Sequence, residues 1–208
     1  MSAIEYNHEP NETLTTIQNR RSIRNFIPGK DIADRDIIAI LQAANQAPSA
    51  HNQQSWRFIV LRGAIKNELV NLVETKAANF PKPSRALLRM ACRSIAEAAV
   101  VIAIVNSGEL IRRGSRLFAV EQEEVRDFFR IMEIQSSAAA VQNMLLAAAS
   151  LGIGSVWLGI LILIKDEVLN FLGESRGEFM AVVPIGYPLR HSNSPKKMPL
   201  ETCVKYLF

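Results

Sequence analysis

Apolar positions recur every three or four residues along some stretches of this chain and run unbroken in others, which separates helices from strands before any chemistry is considered. Leu14 to Arg20 reads as a short helix. Asp34 is the expected N-cap of a second, with Ile37, Ile38, Leu41 and Ala44 at helical spacing and Pro48 ending it after Ala47. Trp56 to Leu61 is apolar and β-rich, hence a strand, and Ile65 to Ala78 has the period of an amphipathic helix with Leu69, Leu72 and Val73 on one face. Asn79 to Ser84 reads as a loop, Arg85 to Glu97 as a helix, and Ala99 to Val105 as a strand buried on both faces. Ser107 to Leu117 is basic and glycine-punctuated and predicts no element.

From Glu121 to Leu151 there is neither proline nor glycine, and Gly152 stands where a C′ residue belongs. One helix of roughly 30 residues and about 45 Å follows, longer than a compact domain of this size is wide. Its second half, from Ser136, is small or apolar nearly all round, which implies burial on every side. A lone chain would expose Met144, Leu145 and Leu146 or their neighbours, so the pattern predicts a dimer. Gly154 to Leu158 and Phe179 to Tyr187 read as strands, with a short helix from Asp166 to Leu172 between them. These elements sum to an α+β sandwich in one domain, 1–208, around a central helix.

The 208 residues are 49% hydrophobic and 21% charged, the balance of a globular chain. A formal charge of +4 is a mild attraction for anions, with the basic residues scattered as short doublets. That fits a phosphate-bearing ligand as well as it fits nucleic acid, and an excess this small is usually a solvated surface. Two distant cysteines, outside any CxxC, predict free thiols in a reducing compartment. The first residues carry neither a basic nor an apolar run, so a cytoplasmic protein without a membrane segment is expected. The three histidines have no metal-binding spacing, HExxH and GxSxG are missing, and no protein nucleophile stands out.

Two segments concentrate hydrogen-bond donors beside rigid apolar elements. Arg20, Arg21, Ser22 and Arg24 place three guanidiniums and a hydroxyl within five residues, the chemistry that suits a phosphomonoester. In an extended segment Ser22 and Arg24 share one face and Arg21 takes the other. Pro48, Ser49, Ala50, His51, Asn52 and Gln54 form a helix-to-strand loop offering hydroxyl and amide groups. Gly152-Ile-Gly154 lacks GxGxxG spacing and follows a helix, so it is no dinucleotide fingerprint. A short arginine cluster alone is more often a solvated patch, and a lysine pair near a terminus more often still.

Arg20-Arg-Ser-Ile-Arg24, a helix ending Ala47-Pro-Ser49, and Asn52-x-Gln54-x-Trp56-x-Phe58-Ile-Val60 together resemble the FMN-dependent nitroreductase family. Gly152-x-Gly154-x-x-Trp157-x-Gly159, Gly186-Tyr-Pro188 and Lys196-Lys197-Met-Pro199 follow in the family's order. The resemblance implies a three-layer sandwich with a mixed sheet flanked by helices, and the long helix at a homodimer interface. It further implies one FMN per subunit, NAD(P)H as reductant, and ping-pong transfer to a small-molecule acceptor such as a nitroaromatic or quinone.

By the same resemblance Arg20, Arg21, Ser22 and Arg24 wrap the FMN phosphate, ribityl chain and flavin O2 edge, and Arg93 reaches that edge. The loop from Pro48 to Gln54, with His51, lines the flavin. Trp157, Leu158 and Gly159 pass close to N5 through their backbone, and Lys196 and Lys197 approach the phosphate. Ser55 stands where the family usually has proline, which leaves the loop's backbone freer. Two rival readings are an oxygen-using or dehalogenating flavoenzyme of the same fold, and a basic module that binds nucleic acid.

Overall fold

The computed structural model describes residues 11–117, 122–190 and 195–207. Helices α1 (Glu12–Asn19) and α2 (Asp34–Asn45) precede strand β1 (Trp56–Leu61), helices α3 (Gly63–Ala77) and α4 (Lys82–Glu97), and strand β2 (Val100–Asn106). Helices α5 (Glu109–Leu117) and α6 (Gln122–Ser150), the short strand β3 (Gly154–Ser155), helix α7 (Lys165–Phe171) and strand β4 (Glu178–Gly186) complete the order. The sheet runs β1-β2-β4-β3 with antiparallel ladders throughout. Its parallel component is a single bridge between Ser22 and Ser155.

Strand β2 is buried at every position and divides the core in two. Val101, Ala103 and Val105 pack with Leu69 and Val73 of α3, Leu88 and Ile95 of α4, and Val168 of α7. On the other face Val100, Ile102 and Ile104 meet Ile37 and Ile40 of α2 and Val141, Met144 and Leu145 of α6. Three layers result, helix on sheet on helix, as the unbroken apolar run of β2 requires.

Several boundaries depart from the sequence expectation for identifiable reasons. Asp34 is the first residue of α2 rather than its cap, because Arg62 Nη1 engages its carboxylate at 2.6 Å. Helix α4 starts at Lys82, inside the expected loop, since Pro83 is tolerated in a first turn. The unassigned basic stretch folds as α5, and its Gly114 is what admits it: a Cβ there would lie 2.0 Å from the Phe129 ring of α6. Strand β3 stops at Ser155 because the next residue, Val156, faces Pro184, which accepts its N–H at 3.3 Å but has none to return.

Helix α6 spans 29 residues, about 43 Å long. It is not buried all round within the chain. Met144 and Leu145 face the core, whereas Phe128 and Ile131 are each 51% exposed and Leu146 is half-buried. Both cysteines are free; burial, with Glu74 second, pushes the Cys92 thiol above its ordinary range.

Phe26 anchors the chain between α1 and α2. It is fully buried, its backbone bridges Pro188, and its ring sits 2.8 Å from where a Cβ on Gly186 would stand. Phe26→Ala should therefore cost about 3–5 kcal/mol of folding stability, measured by urea unfolding, with the segment before it loosened first.

Candidate functional site

The Arg20 segment reaches its position through the sheet edge. Ile23 N–H donates to Ser155 O at 2.9 Å, and Asn25 O accepts Leu189 N–H at 3.1 Å, so residues 22–26 lie as an added strand beside β3 and the end of β4. Gly154 makes this possible, since a Cβ there would stand 2.9 Å from Ile23. The expected alternation holds: Ser22 and Arg24 are exposed, Arg21 and Ile23 half-buried.

A cavity of about 200 Å³ opens where this segment meets the end of α6, lined by Arg20, Arg21, Gly154, Ser155, Pro188 and Arg190 among others, with no carboxylate among the described residues. Arg21 Nη1 donates to Gln18 O at 2.5 Å and Arg20 O at 2.8 Å, closing the end of α1. Its Nε is buried without a partner among the described residues. Arg190 escaped the sequence reading, although it stands two residues beyond the Pro188 of a matched motif and so carried a signal.

The loop from Pro48 to Ser55 is a second polar cluster, with the strained backbone typical of functional segments. His51, Asn52 and Gln54 all adopt left-handed φ, at 53°, 52° and 52°, each costing on the order of 1–3 kcal/mol. Internal bonds hold them there. Ser49 Oγ accepts Gln54 N–H at 3.1 Å, Ser49 O accepts Asn52 N–H at 2.9 Å, and Gln54 Nε2 donates to Asn52 Oδ1 at 3.1 Å. Ser55 does not loosen the loop. It is buried, and its carbonyl accepts Ser107 N–H at 2.7 Å.

Helix α6 supports this loop with two residues that the sequence reading missed. Ser136 Oγ accepts Ala50 N–H at 3.1 Å and donates to Met132 O at 2.7 Å. One turn earlier, Glu133 is buried and its Oε1 accepts Leu110 N–H at 2.8 Å, fixing the start of α5. A lone carboxylate set among Ile131, Met132 and Ile134 was the available signal. Burial raises the Glu133 carboxyl above the usual carboxylate range, only partly offset by the Leu110 N–H. The Ser55 hydroxyl lies near enough to favour the charged form without reaching hydrogen-bonding geometry.

The structure does not unite all the expected residues within one chain. Ser136 holds the loop while Ala149 lines the arginine cavity, and 13 residues of helix separate them by about 20 Å. Leu158 cannot present its N–H to a ligand, because its N–H and carbonyl are both exchanged with Val182, at 2.9 and 3.1 Å. Trp157 is partly exposed, with its indole over Gly159. Arg93 is exposed on α4 and does not line the arginine cavity. Lys196 and Lys197 are exposed in the C-terminal segment, also outside that lining.

Residues 17–187 match the profile of the Nitroreductase family. An Archaeoglobus fulgidus protein, named by inference an NADH dehydrogenase/NAD(P)H nitroreductase, is 33% identical over 182 residues, 85% of this chain and 86% of its own. A solved structure from Desulfovibrio desulfuricans, titled an inferred nitroreductase in complex with FMN, is 27% identical, has a TM-score of 0.70, and covers 96% of this chain and 99% of its own. The 5,6-dimethylbenzimidazole synthase of Rhodospirillum rubrum is 28% identical over 188 residues, 86% of this chain and 83% of its own.

Glu133 gives the region a pH dependence of definite sign. A carboxyl raised by folding contributes fully below its unfolded pKa of roughly 4.3 and loses that contribution as pH rises through the folded value. Glu133→Gln, which keeps the shape and cannot ionise, should melt above the wild type at pH 8 and converge with it near pH 4. A thermal-melt series across that range checks it; a variant less stable at pH 8 would mean the ionised carboxylate is the favoured buried form.

Proposed function

The chain belongs to the nitroreductase family, and on that premise we propose that it is a homodimeric FMN-dependent oxidoreductase, passing electrons from NAD(P)H to a small acceptor such as a nitroaromatic or quinone. The arginine cavity carries the reading. Three guanidiniums, no carboxylate and a buried Nε lacking an acceptor suit the nearly doubly charged phosphate of FMN. The relatives' names, one with NAD(P)H and one with FMN, support the redox half. When bound, FMN supplies the hard chemistry, taking two electrons from the nicotinamide and giving them to the acceptor.

Each group has a distinct task in this reading. Arg20 and Arg190 hold the phosphate. Ser22 and Arg24, on the exposed face of the same segment, are placed for the ribityl chain and the N1–O2 edge, where positive charge favours the reduced cofactor. Trp157 and Gly159 follow Ser155 along the edge and offer backbone N–H groups that Leu158 lacks. One chain holds only half of this site, because a cavity of about 200 Å³ falls below the roughly 300 Å³ at which cofactor pockets begin. Ser49, Asn52 and the rest of the loop from a second copy complete it.

The open stripe along α6, Phe128, Ile131 and Leu146, with Leu14 and Ile17 of α1 also exposed, supplies the apolar surface for that second copy. Donor and acceptor then use one exposed flavin face in turn, a ping-pong order. Likeness to a synthase as well as to proteins named nitroreductases supports a second reading, since fold alone does not fix the reaction. An oxygen-using or dehalogenating flavoenzyme is thus the second reading, separated by following turnover of the reduced protein with and without oxygen.

Arg20→Ala should remove a charge-assisted bond of about 1.5–3 kcal/mol and weaken FMN binding about 10- to 100-fold without unfolding the chain. Titration of apoprotein with FMN measures this, and an unchanged affinity removes Arg20 from the site. Leu146→Glu places a charge in the proposed interface and should yield monomers that have lost FMN. Light scattering with flavin absorbance tests it; a monomeric wild type retaining FMN on dilution would overturn the shared site.

A further inference from the structure

Helix α5 carries Arg112, Arg113 and Arg116 against one carboxylate, Glu109, and the site described above uses none of them. Arg112 is tied to Glu109, Nη2 to Oε2 at 2.5 Å. Arg113 turns elsewhere. Its Nη1 donates to Gln53 Oε1 at 3.1 Å, which sets an exposed guanidinium against the loop that presents Ser49 and Asn52. Gln53 is a neutral acceptor, and among the described residues no carboxylate forms an ion pair with Arg113. Arg116 lies one turn on, on the same side of the helix.

The placement is rigid. Leu110 N–H is bonded to buried Glu133, and Gly114 lets α5 settle against Phe129, so Arg113 stands at the loop's rim on a helix anchored from below. If the loop lines the flavin, a molecule reaching the flavin face passes this pair. Nicotinamide donors carry a doubly charged pyrophosphate, and NADPH a further phosphate, whereas quinones and nitroaromatics need carry no anionic group.

Resting on the oxidoreductase reading, we propose that Arg113 and Arg116 form the docking site for the phosphates of the nicotinamide donor, and that Arg113 is its principal contact. Guanidinium forks match phosphate oxygens in geometry and charge. The α5 segment thereby sets preference among donors without touching the flavin phosphate, which in the proposed dimer the second copy's arginine cavity takes.

The test uses FMN-loaded wild type, Arg113→Ala and Arg113→Lys, with flavin bleaching followed for three donors: NADPH, NADH and the phosphate-free 1-benzyl-1,4-dihydronicotinamide. Arg113→Ala should lose about 10- to 100-fold in kcat/KM for NADPH, mainly through KM, and nothing for the phosphate-free donor. The lysine variant should recover part of the loss. Calorimetric titration with oxidised NADP+ should show a matching fall in affinity, with flavin content and melting temperature unchanged. A loss confined to NADPH places its extra phosphate at Arg113; an equal loss for NADH places the pyrophosphate there, and either supports the site. Equal losses for all three donors would reduce Arg113 to a loop prop, and no loss would remove it. Should neither nucleotide reduce the wild-type flavin, the oxidoreductase reading itself falls, an outcome distinct from both.

Discussion

Helix α6 sets the distance over which the polar groups are placed, because a continuous hydrogen-bonded helix cannot shorten. Ser136 and Glu133 pin the strained loop and the start of α5 near its middle. Its far end, closed by Gly152 N–H on Ala149 O and Ile153 N–H on Ala148 O, turns into the glycine edge that receives the arginine segment. Between them the helix is packed on α2 and β2. In the proposed dimer, a ligand that needs both clusters finds them on different copies. Two such helices running side by side in opposite senses bring the middle of one towards the end of the other, which is what a twofold axis provides.

The arginine cavity is tolerable without an anion because two helices end there. Arg21 bonds the last carbonyls of α1, and Ala149 of the cavity lies in the last turn of α6. Helix C-termini carry partial negative charge and stabilise nearby cations by about 0.3–1 kcal/mol each. Among the described residues Arg21 Nε has no acceptor in this arrangement, which is what suits the cavity to the proposed phosphate.

The strands and long helices were legible in the sequence because their periodicity is long relative to boundary error. Trp56–Leu61 and the span of α6 are the clear cases. What failed to show was anything decided by one distant neighbour. Pro184 truncates β3 from across the sheet, Phe129 makes room for a helix at Gly114, and Arg62 draws Asp34 off its cap. The two donor-rich segments were legible as chemistry, since residue types and alternation were enough. Their separation was not, because no local pattern reports which copy of a chain will complete a site. Lys196 and Lys197 were named from the resemblance's motif spacing, whereas Arg190 lies just beyond a matched motif and is brought beside Arg20 by the fold.

The division of labour in the chain follows from which parts are over-determined. The cavity edge rests on backbone: glycines that admit no Cβ, Phe26 buried beneath, and ladder bonds from Ile23 and Leu189. Replacing most residues there disturbs packing at once, so the cofactor end has little freedom to vary. Helix α5 meets the rest through Leu110 and Ile111, the face of Gly114 and the tip of Arg113, while Arg112 and Arg116 are exposed. Changes in its charge cost the fold about half a kcal/mol or less. If α5 docks the donor as proposed, its outward arginines can be exchanged without disturbing the packing that holds the arginine cavity, so the two ends of the site are free to change independently.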